Sequence, residues 1–153
     1  MPLSDAGARF ADAHRVARLA TADDHGVPHV VPVCYARADD RFYFVIDDKP
    51  KRGDSRRLKR LRNIAVNPRV ALVIDEWDED WRRLAYLLIH GDAAIVDDEG
   101  EYAGALARLR DRYPQYRTMP LRFVSHPMVR IRTRRLHFWR ADRSLEGPPR
   151  PEL

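Results

Sequence analysis

Apolar and polar residues alternate at a spacing of two along most of this chain, which predicts strands. From His14, HRVARLATA sets Val16, Arg18 and Ala20 on one face against Ala17, Leu19 and Thr21 on the other. Asp23-Asp24-His25-Gly26 reads as a turn, and VPHVVPVCYAR after it completes a hairpin. A second turn at Asp39-Asp40 leads into RFYFVID, where Phe42, Phe44 and Ile46 alternate with Tyr43 and Val45. RVALVIDEW is apolar on both faces, which suits a central or barrel-lining strand. Arg83 to Val96 is long enough for a bulged strand, with Gly91 as the natural bulge point. In MVRIRTRRLHFW, apolar Val129 and Ile131 oppose cationic Arg130 and Arg132, so one face of the last strand or strand pair is wet or turned toward anions.

Helical spacing occurs in fewer places. Leu3 to Ala13 puts Leu3, Phe10 and Ala13 on one side. Leu58, Leu61, Ile64 and Ala65 follow Asp54 and Ser55, either of which is a suitable cap, and Asn67-Pro68 stops that helix after about three turns. Glu99 to Arg112 is amphipathic through Tyr102, Leu106, Leu109 and Tyr113, and Tyr113-Pro114 ends it. PQYRTMPLRFVSHP reads as irregular. Six or so strands in largely hairpin order, with one helix between the third and fourth and another before the last, predict a mainly β protein. The expected form is a small antiparallel barrel with flanking helices, not a doubly wound sheet. Pro28 and Pro32 in one strand confine it to an edge or leave gaps in its pairing.

Charge changes this picture at one place. Between Lys49 and Arg69 stand nine Lys or Arg and one acid, Asp54, whereas the whole chain carries only +5. The basicity is therefore local, and it gathers at a helix start, where free N–H groups and the macrodipole already favour anions. Arg56, Arg57, Lys59 and Arg60 make a phosphate seat there; the competing reading is a solvated basic face. With 153 residues the chain suits one domain over residues 1–143, followed by a disordered tail, SLEGPPRPEL, over residues 144–153. No run approaches the roughly 18 apolar residues of a membrane span, and the N-terminus lacks a signal-peptide core, so the expectation is a cytoplasmic protein. The single cysteine, Cys34, excludes an intramolecular disulfide and reads as a packed or half-buried residue. His25 and His29 are separated by Gly26 and Pro28, so no helix aligns them as metal ligands. GxGxxG, GxxxxGKS, HExxH and GxSxG are all absent.

Taken in order, LATA (Leu19 to Ala22), GVPHVVPVCY (Gly26 to Tyr35), RFYFVID, the basic helix ending RNIAVNPRVALVID, YPQYR (Tyr113 to Arg117) and MVRIRTRRLHFW resemble the pyridoxine 5'-phosphate oxidase-like split β-barrel superfamily. The resemblance is to its branch of F420-dependent reductases. It implies a homodimer of antiparallel split barrels with a flavin or deazaflavin in a cleft between the subunits. It places the cofactor phosphate on cations at the start of the helix after the third strand, where Lys59 and Arg60 match best, with Arg57, Lys49 and Lys51 also in reach. The loop from Asp48 to Ser55 is longer than the family pattern. The same resemblance has Val31, Pro32 and Val33 lining the ring system, with Ile46 and Asp47 at the end of the third strand. Trp77 or Trp81 would lie over the cofactor from the partner, or else pack a dimer seam. F420 carries a phosphodiester and a polyglutamate tail, so a dense cation cluster suits it better than FMN. The function implied is hydride transfer between F420 and a small organic substrate, with no nucleic-acid or membrane partner. The alternatives are an FMN-dependent oxidase or flavin reductase and a non-catalytic F420 carrier. No catalytic side chain is assigned; Tyr35, Tyr43 and His29 are the candidates for a proton donor.

Overall fold

The computed structural model describes residues 3–48 and 58–142. Its elements run α1 (Asp5–Ala13), β1 (Ala17–Ala22), β2 (Pro28–Val33), β3 (Ala36–Ala38), β4 (Arg41–Val45), α2 (Lys59–Val66), β5 (Arg69–Glu76), β6 (Ala85–Ile95), α3 (Glu99–Arg112), α4 (Pro114–Thr118) and β7 (Met128–Arg140). The strands form one sheet of seven in the order β2-β1-β5-β6-β7-β4-β3, and every pairing in it is antiparallel. Curled on itself and flanked by helices, this sheet is the expected split barrel. β2 is an edge strand, which is how it tolerates Pro28 and Pro32.

The strand count differs from the sequence reading at one point. VPHVVPVCYAR is not one strand: β2 stops at Val33 and β3 begins at Ala36. Side chains of α3 take over the intervening peptide groups. The Tyr35 N–H donates to the Tyr113 hydroxyl at 2.9 Å, and the Tyr35 carbonyl accepts from Arg112 Nε at 2.9 Å. Arg112 also donates to the Asp12 carbonyl at 2.8 Å and to the His14 carbonyl, while the Tyr113 hydroxyl reaches the Arg15 carbonyl at 2.8 Å. These bonds hold residues 14 and 15 outside the ladder, so β1 starts at Ala17 and not at His14.

The bulge falls where it was expected. The register of β6 against β7 shifts between His90 and Gly91, and a Cβ at Gly91 would stand 2.6 Å from the Arg132 carbonyl oxygen, so only glycine fits. α3 spans the expected residues, capped by the Asp98 side chain accepting from the Glu101 N–H at 2.6 Å. α4 replaces part of the expected irregular stretch. Pro114 ends α3 and also opens a new helical turn, where its missing N–H costs nothing. Arg110 then donates to the carbonyls of Tyr116 and Met119 at 2.9 and 3.0 Å, satisfying the far end of α4.

Two apolar cores meet at β4. Phe42, Phe44 and Ile46 pack with α1, α2 and the long strands, whereas Tyr43 and Val45 pack with α3 and α4. The cationic side of β7 is covered over part of its length: Arg130 pairs with Glu101 at 2.7 Å, and the Tyr43 hydroxyl donates to the same carboxylate at 2.8 Å. Burial raises the Glu101 carboxyl, but the Arg130 and Tyr43 bonds outweigh it and leave it below the usual carboxylate range. α2 is pinned to β1 through buried Asn63, whose Nδ2 donates to Thr21 Oγ1 at 2.9 Å. α2 is described from Lys59 onward; its expected caps, Asp54 and Ser55, lie outside the described residues, as does the C-terminal tail.

Candidate functional site

β2 and β4 are not bonded to each other, yet the curl of the sheet brings the end of β2 beside the end of β4. A pocket of about 210 Å³ opens in this split. Pro32, Val33 and Cys34 form one wall and Phe44 and Val45 the other; Val16 closes one side, and the polar groups are Asp47, Arg60 and Tyr116. Three elements thus deliver three different chemistries to a mostly apolar space: a cation from α2, a carboxylate from the end of β4 and a phenol from α4.

Arg60 is the informative residue. Its Nε is buried and has no hydrogen-bond partner among the described residues. Leaving such a donor unmade costs about 1–3 kcal/mol, a cost an anionic ligand would remove. Burial lowers the tendency of the guanidinium to hold its proton, with Asp47 opposing that shift. Asp47 is buried at 8% exposure and accepts a hydrogen bond from the Tyr116 hydroxyl. Burial first, and then the Asp47 bond, push the Tyr116 phenol far above its ordinary value, so it stays neutral and keeps its proton directed at the carboxylate.

The cofactor-binding residues expected from sequence therefore separate. Pro32, Val33, Asp47 and Arg60 line one pocket. Val31, on the next strand position, packs half-buried against the core. Ile46 is 1% exposed and belongs to the core. Lys59 points away from the pocket lining to Asp23, with Nζ 3.6 Å from the carboxylate. Trp77 and Trp81 lie on the β5–β6 connection, 66% and 68% exposed, and line no part of this pocket. Lys49, Lys51 and Arg57 lie outside the described residues. Of the proton-donor candidates, the Tyr35 hydroxyl is spent on the carbonyls of Ala11 and His14, and that of Tyr43 on Glu101. Sequence reasoning gave Tyr116 and Cys34 no place in the site. The signal for Tyr116 was its position two residues past Pro114, which opens the helix that aims it.

A split barrel, an apolar slot and a buried guanidinium whose Nε has no hydrogen-bond partner among the described residues fit a phosphate-bearing flavin-type group. The family model described as pyridoxamine 5'-phosphate oxidase matches residues 3–139. A Streptomyces rimosus protein named 5a,11a-dehydrotetracycline/5a,11a-dehydrooxytetracycline reductase is 30% identical over 146 residues, covering 95% of this chain and 88% of the relative. The crystal structure of the conserved hypothetical protein Rv2991 from Mycobacterium tuberculosis superposes with a TM-score of 0.73 at 23% identity, covering 98% of this chain and 92% of that one. An FAD-binding protein from Mesorhizobium loti superposes with a TM-score of 0.63 at 24% identity, covering 89% and 92%. The family and the reductase relative support oxidoreductase activity, and the family supports a flavin-type cofactor. On a match that reaches every described strand, this chain belongs to the pyridoxamine 5'-phosphate oxidase family.

Proposed function

We propose that this protein is an F420-dependent reductase that transfers a hydride between the deazaflavin and a small organic acceptor. The observation that supports this reading is the buried Nε of Arg60, without a partner among the described residues, in a mostly apolar pocket. The cofactor, when bound, supplies the hydride. The chain's own residues bind, orient and exclude water. Arg60 holds an anionic group of the cofactor, and Pro32, Val33, Phe44 and Val45 offer apolar surface to the part of the cofactor nearest that group. The Lys49-to-Arg62 segment carries the cations that a phosphodiester and a polyglutamate tail need.

A volume of about 210 Å³ is smaller than the ~300–1,000 Å³ of pockets that enclose a ligand of drug size. The ring therefore extends beyond the split, and a second copy of the chain covers it. Exposed Val30, Trp77, Trp81 and Trp139 provide apolar surface for such a homodimer. The relative's named substrate makes a flat, polycyclic enone of the dehydrotetracycline kind the first acceptor to try. Reduced F420 mixed with 5a,11a-dehydrotetracycline and catalytic protein tests the reading: enzyme-dependent return of oxidised F420 absorbance supports it. Turnover with reduced FMN and none with reduced F420 would replace it by the flavin-reductase alternative.

A further inference from the structure

We infer that a second anion seat lies at the bulge between β6 and β7, built from Arg69, His90, Arg134 and Arg135, and that it takes a small anion carrying two linked phosphate groups. The seat is separate from the cofactor split and does not depend on the reading given above for that split.

The bulge makes the site. His90 faces Arg135 in register and Gly91 faces Thr133, so Arg134 is the extra residue on β7. In a regular strand Arg134 and Arg135 would point to opposite faces, but here both are exposed. Re-aiming a side chain is a recurrent use of bulges. Gly91 permits this one, since a Cβ there would meet the Arg132 carbonyl oxygen at 2.6 Å. A pocket of about 410 Å³ results, lined by Arg69, Val70, His90, Gly91, Arg134 and Arg135. β1 sets it apart from the split. Val16 and Val33 place the split at the Ala17 end of β1, whereas Arg69 opens β5 beside the Ala22 end. The six residues of β1 hold the two roughly 15–20 Å apart.

Asp92 organises one half of the seat. Its Oδ2 lies 2.7 Å from Arg134 Nη1 and its Oδ1 3.4 Å from Arg69 Nε, so one carboxylate holds guanidiniums from two strands. Arg135 and His90 form the other half, and their side chains have no hydrogen-bond or ion-pair partner among the described residues. Three arginines against one carboxylate leave a net charge of +2 before His90 is counted. Neighbouring like charges on a sheet are destabilising until an anion sits between them. Two donor groups, one fixed by Asp92 and one open, match a ligand with two linked anionic groups. The planar fork of arginine takes phosphate oxygens two at a time, which favours phosphate over a monovalent ion. The volume lies within the ~300–1,000 Å³ of ligand-sized pockets, enough for a diphosphate with or without a nucleoside.

Amide-resolved NMR of the full chain at low ionic strength tests the seat with three probes: inorganic phosphate, pyrophosphate and ADP. The Gly91 amide reports on the bulge and the Gly104 amide, on α3, serves as the control. Pyrophosphate is expected to shift Gly91 saturably and to bind at least about fivefold more tightly than phosphate, with added salt weakening both. Arg135→Gln and Arg69→Gln are each expected to weaken pyrophosphate at least about threefold, the scale of one exposed charge pair, and Arg135→Lys less than Arg135→Gln. Arg60→Ala, in the split, is expected to leave the Gly91 titration unchanged. ADP binding more tightly than pyrophosphate would identify a nucleotide as the source of the diphosphate, and the reverse order the inorganic anion. No saturable shift at Gly91, equal affinity for phosphate and pyrophosphate, or a titration lost in Arg60→Ala but kept in Arg135→Gln overturns the inference. If Arg69→Gln loosens the fold by releasing Asp92, Arg135→Gln still decides, because Arg135 has no partner among the described residues to lose. F420 binding is read separately, so a failed cofactor reading and a failed anion seat give different results.

Discussion

Replacing Arg60 and Lys59 one at a time separates the seat from its surroundings. Both cations open α2 and match the expected phosphate position equally well in sequence, but the structure gives them different work. Arg60 lines the pocket with its Nε unpartnered among the described residues, and Lys59, which does not line it, reaches Asp23 at 3.6 Å. A charge-assisted hydrogen bond contributes about 1.5–3 kcal/mol, so Arg60→Ala is expected to weaken F420 binding roughly ten- to 150-fold. Lys59 takes part in a half-exposed pair of the kind that contributes about 0–1 kcal/mol, so Lys59→Ala is expected to cost less than about fivefold. Arg60→Ala also removes a buried donor that has no partner among the described residues. That gain offsets lost packing, and the ligand-free Tm is expected to move by no more than about 4 °C, the equivalent of ~1 kcal/mol at this size. Fluorescence titration with F420 reads the affinities, and differential scanning fluorimetry reads the Tm. A Lys59→Ala loss equal to or larger than that of Arg60→Ala would refute the assignment of the anion seat to the split.

Gly91→Ala should place a methyl 2.6 Å from the Arg132 carbonyl oxygen and 2.7 Å from Ile131 Cγ2. Overpacking of this kind costs about 1–3 kcal/mol, so thermal unfolding should fall by roughly 3–12 °C. Gly104→Ala on α3 meets nothing within 4 Å and should instead gain stability, as alanine does over glycine in a helix; equal responses at the two sites would contradict the bulge geometry. At alkaline pH the buried phenols of Tyr35 and Tyr116, both raised chiefly by burial, keep their protons while unfolded tyrosines ionise near pH ~10. Their contribution is therefore fully present below pH ~10 and is lost as pH rises toward the folded values, at about 1.4 kcal/mol per phenol per pH unit. Urea unfolding at about pH 9 and about pH 11 should show the decline, and Tyr116→Phe should make it shallower by one phenol's share; an unchanged slope would place Tyr116 in contact with solvent.

The fold was legible because its evidence is local. Alternation in β1 and β4, the run apolar on both faces in β5 and the spacing of three and four in α3 survive tertiary context, and Gly91 marked its own bulge. What sequence could not show was where long-range side-chain bonds override the pattern. VPHVVPVCYAR alternates well enough to pass for one strand, and only Arg112 and Tyr113, about 78 residues further on, take its Tyr35 peptide out of the ladder. Local charge also pointed to the turn of helix that carries Arg60. It could not separate Arg60 from Lys59, because the choice depends on which neighbour turns toward β4 and which toward Asp23. Tyr116 was passed over for a related reason: Pro114 was read only as the end of α3, although proline equally suits the first turn of a new helix.

The most direct test of the cofactor seat is a fluorescence titration of the purified protein with F420, run beside one with FMN in the same buffer. Binding of F420 at least about tenfold tighter than FMN, abolished or strongly weakened by Arg60→Ala, is the expected result. Equal or tighter binding of FMN, or F420 affinity untouched by Arg60→Ala, would contradict the account.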